Sequence, residues 1–122
     1  MTLAAVPGLY VLPVEVGVGD VSDIFPGRVD VLDGIIDKRG LLEGVSQTLE
    51  FPGYWRPNWD SFEECLLDLA WLPSGPRVLV LTDSNTFAER DPDGWDVSLA
   101  IWARAARLHA RGATPLHVFL LD

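Results

Sequence analysis

Arg77–Asp83, RVLVLTD, is an unbroken apolar run with a turn cluster, Pro73-Ser74-Gly75-Pro76, in front of it. A strand with one wet face alternates apolar and polar residues. A continuous run instead implies burial on both faces, as inside a parallel sheet covered by helices. Downstream, Asp96–Ala110 reads as a helix closed by Gly112 in the C-terminal capping position. Pro115–Leu121, PLHVFLL, reads as the last strand. Strand, helix and strand in succession make the two strands parallel, with a right-handed crossover.

The same logic extends upstream. Arg28–Gly34, RVDVLDG, is predicted as a strand stopped by Asp33-Gly34. Lys38–Leu49 is predicted as a helix, because Leu41, Leu42, Val45 and Leu49 recur at helical spacing. Pro52, Gly53 and Pro57 bar Phe51–Pro57 from regular helix, and Asp60–Trp71 is predicted as the next helix. Leu9–Val16 reads as a strand that Pro13 confines to a sheet edge. Gly17–Gly27 and Ser84–Gly94 read as loops. The expected fold is α/β: a small parallel three-stranded sheet with helices packed on it, plus an extra N-terminal edge strand. Residues 1–27 would form an extension carrying that strand, and residues 28–122 the main domain.

Composition bounds the function. With 122 residues, 48% of them hydrophobic, the chain can build one core without staples. A single Cys excludes a disulfide framework within the chain and suits a reducing, cytoplasmic compartment. The N-terminus lacks a basic segment, and Pro7, Gly8 and Pro13 interrupt any apolar run, so neither a signal peptide nor a membrane helix is expected. The net charge of −9 repels nucleic acid and anionic membranes and suits a basic partner, although solubility alone also explains it.

Phe51–Leu72, FPGYWRPNWDSFEECLLDLAWL, carries the functional signal. Within the predicted helix, Phe62, Cys65, Leu66 and Leu69 share one stripe at about 100° per residue and should face the sheet. Asp60, Glu63, Glu64 and Asp68 point the other way, with Leu67 and Trp71 on their side. No Lys or Arg occurs between Arg56 and Arg77 to offset the acids. Capping explains part of the pattern: Asp60 and Glu63 have capping-box spacing, and Asn58 could cap equally well. It does not explain Glu64, Asp68 or the aromatic cluster Tyr54, Trp55 and Trp59, of which at least one should be core. Charge to steer and aromatics to anchor are what a protein interface uses.

From about Arg28 to Leu121 the chain resembles the barstar family, intracellular inhibitors of secreted bacterial ribonucleases. PGYWRPNWDSFEECLLD carries most of the resemblance, with its Tyr, Asn, Asp, acid and Cys at the family's spacing. VDVLDG followed by LLEGVSQTL, and the closing helix, Gly112-Ala113 and final strand, also fit. The resemblance implies a two-layer α/β domain with a three-stranded parallel sheet, no catalysis, no metal and no cofactor. It implies a partner too: a basic ribonuclease bound one to one. Tyr54 matches the ring that stacks in the nuclease cleft, with Trp55, Asn58 and Trp59 at flanking contact positions. Asp60 matches a carboxylate that meets basic residues of the nuclease. Glu64 falls where the family has the Asp that enters the active site and imitates a substrate phosphate. Glu63 stands in place of a Trp, Asp68 in place of a Gly, and Arg56-Pro57 in place of Gly-Glu. A further acidic contact of the family precedes its last helix, near Asp91, Asp93 and Asp96 here.

A physical account stands beside the resemblance. A ribonuclease site must be basic, since it stabilises an anionic transition state, and a carboxylate on a rigid helix can occupy the phosphate position. Opposite net charges speed encounter, and the family's own inhibitor–nuclease pair is the standard illustration of such steering. An immunity protein of the same fold against another basic toxin, such as a DNase, is the nearest alternative.

Other constellations carry less. His109 sits with Arg104, Arg107 and Arg111 at a helix end, where cations complement the dipole. Cys65 lies on the apolar stripe as a structural thiol. Asp91-Pro92-Asp93-Gly94-Trp95-Asp96 lacks the spacing and closing Glu of a calcium loop and reads as a turn into a capped helix. Asp33 and Asp83 at strand ends resemble the pattern of a receiver-type signalling domain, without a matching Lys near the last strand.

Overall fold

The computed structural model describes residues 8–11, 17–25 and 29–122. Nine elements alternate along them: β1 (Gly8–Val11), α1 (Val18–Ile24), β2 (Asp30–Leu32), α2 (Lys38–Thr48), α3 (Trp59–Asp68), β3 (Arg77–Leu81), α4 (Ser84–Arg90), α5 (Pro92–His109) and β4 (Leu116–Leu120). The four strands form one parallel sheet in the order β1-β4-β3-β2, so the N-terminal strand joins at the edge, against β4.

β3 and β4 are buried along their whole length, as the apolar runs predict. Period-two alternation divides their side chains between two cores. Leu79, Leu81, Leu116, Val118 and Leu120 join the larger core with Leu41, Leu42, Val45, Phe62, Leu66, Phe87 and Trp102 of the helices. Val78, Val80, Phe119 and Leu121 form a second core on the opposite face.

What covers that second face is α1, where the sequence predicts a loop over 17–27. Val18, Val21 and Phe25, at helical spacing, pack on it, and Val21 is fully buried. Phe25 meets His117 edge-on at 4.6 Å between ring centroids, and Tyr10 of β1 stacks on Phe119 at 5.1 Å. The helix is short and punctuated by Gly17 and Gly19, so it reads as a turn until the sheet face is present to organise it.

The other expected loop, 84–94, is also helical. It holds α4 and the first turn of α5, separated at Asp91. Phe87 anchors α4 in the core. Asp91 caps α5, accepting from the Gly94 N–H at 3.0 Å, with Pro92 at the first helical position. A side chain at Gly94 would collide with that carboxylate. α5 therefore starts four residues earlier than the Asp96 expected from sequence. Its C-cap is Ala110 in right-handed geometry, and Gly112 is not among the residues of positive φ, so the predicted glycine cap is absent.

Smaller boundary corrections follow the same pattern. The described part of β2 covers three residues, Asp30–Leu32, and Arg28 lies outside the described residues, as do residues 12–16 of the predicted first strand. α2 matches its prediction within one residue, capped by Asp37, whose Oδ1 accepts from Gly40 N–H at 2.8 Å.

Candidate functional site

The segment between α2 and α3 is anchored by aromatic packing. Phe51 touches Trp55, Phe62 and Trp71 at 5.2, 6.2 and 5.9 Å between centroids. Trp55 and Trp59 both meet Phe62, which in turn meets Trp102 of α5 at 5.7 Å. The two tryptophans are thus half-buried supports of the core, while Tyr54 is 47% exposed.

Hydrogen bonds then fix the loop to the first turn of α3. Asn58 is the N-cap, its Oδ1 accepting from Ser61 N–H at 2.8 Å. Asp60 lies inside the helix, so the Asp60–Glu63 capping box does not form. The Ser61 hydroxyl oxygen accepts from Arg56 N–H at 2.9 Å. Arg56 folds its guanidinium back onto the Gly53 and Trp55 carbonyls at 3.2 and 2.8 Å. Its charge therefore stiffens the turn that presents Tyr54.

α3 divides as the spacing predicts: Phe62, Cys65, Leu66 and Leu69 are at most 1% exposed. Burial pushes the Cys65 thiol pKa up, with a smaller upward contribution from the Glu64 charge. The helix ends at Asp68, three residues before the predicted end, because Leu69 adopts left-handed backbone at φ 53°. Trp71 therefore leaves the acidic side; its indole N–H donates to the Leu49 carbonyl at 2.8 Å. Leu67 is half-buried against the larger core.

The acids do not act alike. Asp60, Glu64 and Asp68 are exposed at successive turns of one helix face. Glu63 is half-buried and forms an ion pair with Arg104 of α5. Neither Asp60 nor Glu64 has a hydrogen-bond or ion-pair partner among the described residues. Asp68 is engaged twice: its Oδ1 accepts from Ala70 N–H at 3.2 Å and its Oδ2 from the Tyr54 hydroxyl at 3.2 Å. The Tyr54 phenol pKa is pushed up to about 12, through loss of water around it and then through this hydrogen bond. It is a neutral donor at ordinary pH.

Two basic groups distant in sequence close on this surface. Arg104 neutralises Glu63, and Lys38 of α2 places its ammonium 5.3 Å from the Trp59 ring centroid. Amphipathic spacing on α2 and α5 could have shown these residues to be outward, but not where they lie relative to α3. Beside Lys38 a small cavity of about 140 Å³ is lined by Arg39, Leu42, Glu43 and Pro57.

The other sequence candidates are placed elsewhere. His109 faces inward, 9% exposed, and its Nε2 lies 2.7 Å from the Leu66 carbonyl at the end of α3, so it is a helix-to-helix clasp rather than a solvated dipole partner. Asp33 and Asp83 meet through Thr82 at the carboxyl ends of β2 and β3, at 3.0 and 3.2 Å from its hydroxyl. Gly34 N–H donates into the same cluster. Asp91 is occupied as a cap, while Asp93 and Asp96 are exposed on α5. Among the described residues no three or more metal-ligating side chains converge, and no helix is long and apolar enough to cross a membrane.

No match to this chain exists among curated proteins. The family model described as "Barstar (barnase inhibitor)" matches residues 28–121, which run from just before β2 through β4 and include the whole aromatic loop and α3. With most of its length matched, and with a parallel sheet flanked by helices as its fold, the chain belongs to the barstar family.

Proposed function

We propose that this chain is an inhibitor, not an enzyme, that binds a basic ribonuclease one to one and blocks its active site. Membership of a family described as barnase inhibitors supports the inhibitor class. The single observation behind the mode of binding is the pair Asp60 and Glu64: two exposed carboxylates without internal partners, on a helix that its aromatic neighbours hold rigid. Such carboxylates cost nothing to strip from intramolecular partners, and they are set in advance to meet a site built for phosphate. Glu64 enters that site. Asp60 meets its basic margin, and Tyr54, with Trp55, Asn58 and Trp59 around it, stacks on the cleft. The place of action is the cytoplasm of the cell that makes the nuclease.

Titration of the purified protein into barnase, with RNA cleavage as readout, tests this reading. Stoichiometric loss of cleavage is expected, with Glu64→Ala weakening binding by about 2–5 kcal/mol, mainly through faster dissociation, as buried partner cations lose their counter-charge. Unchanged cleavage by barnase, together with tight binding to a basic DNase, would move the assignment to immunity against a different toxin.

A further inference from the structure

We infer that Asp68 is a positioning residue that holds the exposed Tyr54 ring in one orientation across the C-terminal end of α3. This rests on the reading of the aromatic loop and α3 as the partner-binding surface, and it gives Asp68 a task other than touching the partner.

Tyr54 differs from its aromatic neighbours. Trp55 and Trp59 are wedged against Phe62, whereas Tyr54 takes part in no ring pair among the described residues and is 47% exposed. It follows Pro52-Gly53, and the space where a Gly53 side chain would stand is open. Its orientation therefore depends on its hydroxyl, which faces the Cys65 thiol as well as Asp68. That group donates to Asp68 Oδ2 at 3.2 Å, across fourteen residues of chain.

The acceptor is itself fixed. Asp68 Oδ1 takes the Ala70 N–H at 3.2 Å, so the carboxylate is bound to its own backbone and cannot swing freely. Leu69 between them turns the chain in left-handed geometry and buries its side chain to 1% exposure. One carboxylate thus joins the end of the helix to the tip of the loop. An aromatic anchor ordered in the free protein loses less freedom on binding.

The free protein decides the tether. With ¹³Cζ-labelled tyrosine followed by NMR, Tyr54 should titrate at about 12 in the intact chain, and in Asp68→Ala its midpoint should fall part of the way toward the ordinary 10, since the loss of water around the ring remains. An unmoved midpoint in a variant with wild-type circular dichroism would overturn the tether.

Binding to barnase then separates positioning from contact. With Tyr54 present, Asp68→Ala should weaken affinity roughly two- to tenfold, the ordering cost of one side chain. In a Tyr54→Ala background the same change should have almost no further effect. An equal loss in both backgrounds would make Asp68 a direct contact instead. Should Glu64→Ala and Tyr54→Ala both leave barnase binding unaltered, the surface assignment would fail while the NMR result still judged the tether.

Discussion

The Lys38 ammonium rests 5.3 Å from the centroid of the Trp59 ring, at the margin of a helix whose exposed acids are Asp60, Glu64 and Asp68. A face that is purely acidic along the sequence is thus edged in space by a cation from α2. For a basic partner that cation is a repulsive neighbour. Lys38→Glu should raise the association rate roughly two- to tenfold at 0.01 M salt, and the gain should vanish near 1 M, where the Debye length is about 3 Å. Stopped-flow association across that range checks it; a gain that persisted at high salt would have another origin.

The two adjacent glutamates should separate stability from affinity. Glu63→Ala breaks the pair with Arg104, whose side chain is 55% exposed, so the loss should be at most about 1 kcal/mol of folding stability. His109→Ala leaves the Leu66 carbonyl without its buried partner and should cost about 1–3 kcal/mol. Both variants should bind within about fivefold of wild type, unlike Glu64→Ala. Urea unfolding paired with titration calorimetry would show the split.

Removing the cover of the second core should be more damaging than its short length suggests. Val78, Val80, Phe119 and Leu121 are at most 3% exposed under α1 and Tyr10. A chain starting at residue 28 should bind the dye ANS and aggregate, since it would expose one contiguous apolar face. In the full chain, Val21→Ala should cost about 2 kcal/mol, for two lost methyl groups and the void they leave. A monomeric, cooperatively folding truncation would show that α1 is dispensable.

Alkaline titration should loosen the molecule before it unfolds. The folded Tyr54 phenol holds its proton up to about 12, above the 10 of the unfolded chain. A raised folded pKa stabilises below the unfolded value and is lost as pH rises through the folded one. Stability should therefore decline between about pH 10 and 12, and Tyr54→Phe should flatten that limb. Thermal melts at stepped pH measure the difference.

Legibility in the sequence followed the physics of each element. β3, β4 and α2 were readable because burial alone dictates their patterns, and the buried stripe of α3 was readable for the same reason. α4 was not, because a single core residue, Phe87, leaves no period to detect. α1 was not, because its apolar face has meaning only against sheet residues that come roughly sixty to a hundred positions later. The end of α3 was hidden by Leu69, a residue type that seldom takes positive φ and does so here to bury its side chain. In the candidate site, Asp60 and Glu64 stand exposed on the acidic side that the helical spacing gave them, and of the three aromatics Tyr54 is the exposed one. The counter-charges Lys38 and Arg104, and the Tyr54–Asp68 bond, depend on tertiary packing that no local pattern encodes.

Among the described residues, the first strand of the sheet is paired only with the last. β1 pairs with β4, Gly8 opposite His117 and Val11 opposite Leu120, and the rest of the sheet lies on the far side of β4. During synthesis β1 leaves the ribosome early and then has no edge to join until Leu116–Leu120 has followed it. Completion of this sheet is therefore tied to the emergence of β4, more than a hundred residues after β1. The nascent chain cannot finish its sheet, or seat the strand that flanks its second core, before β4 has emerged.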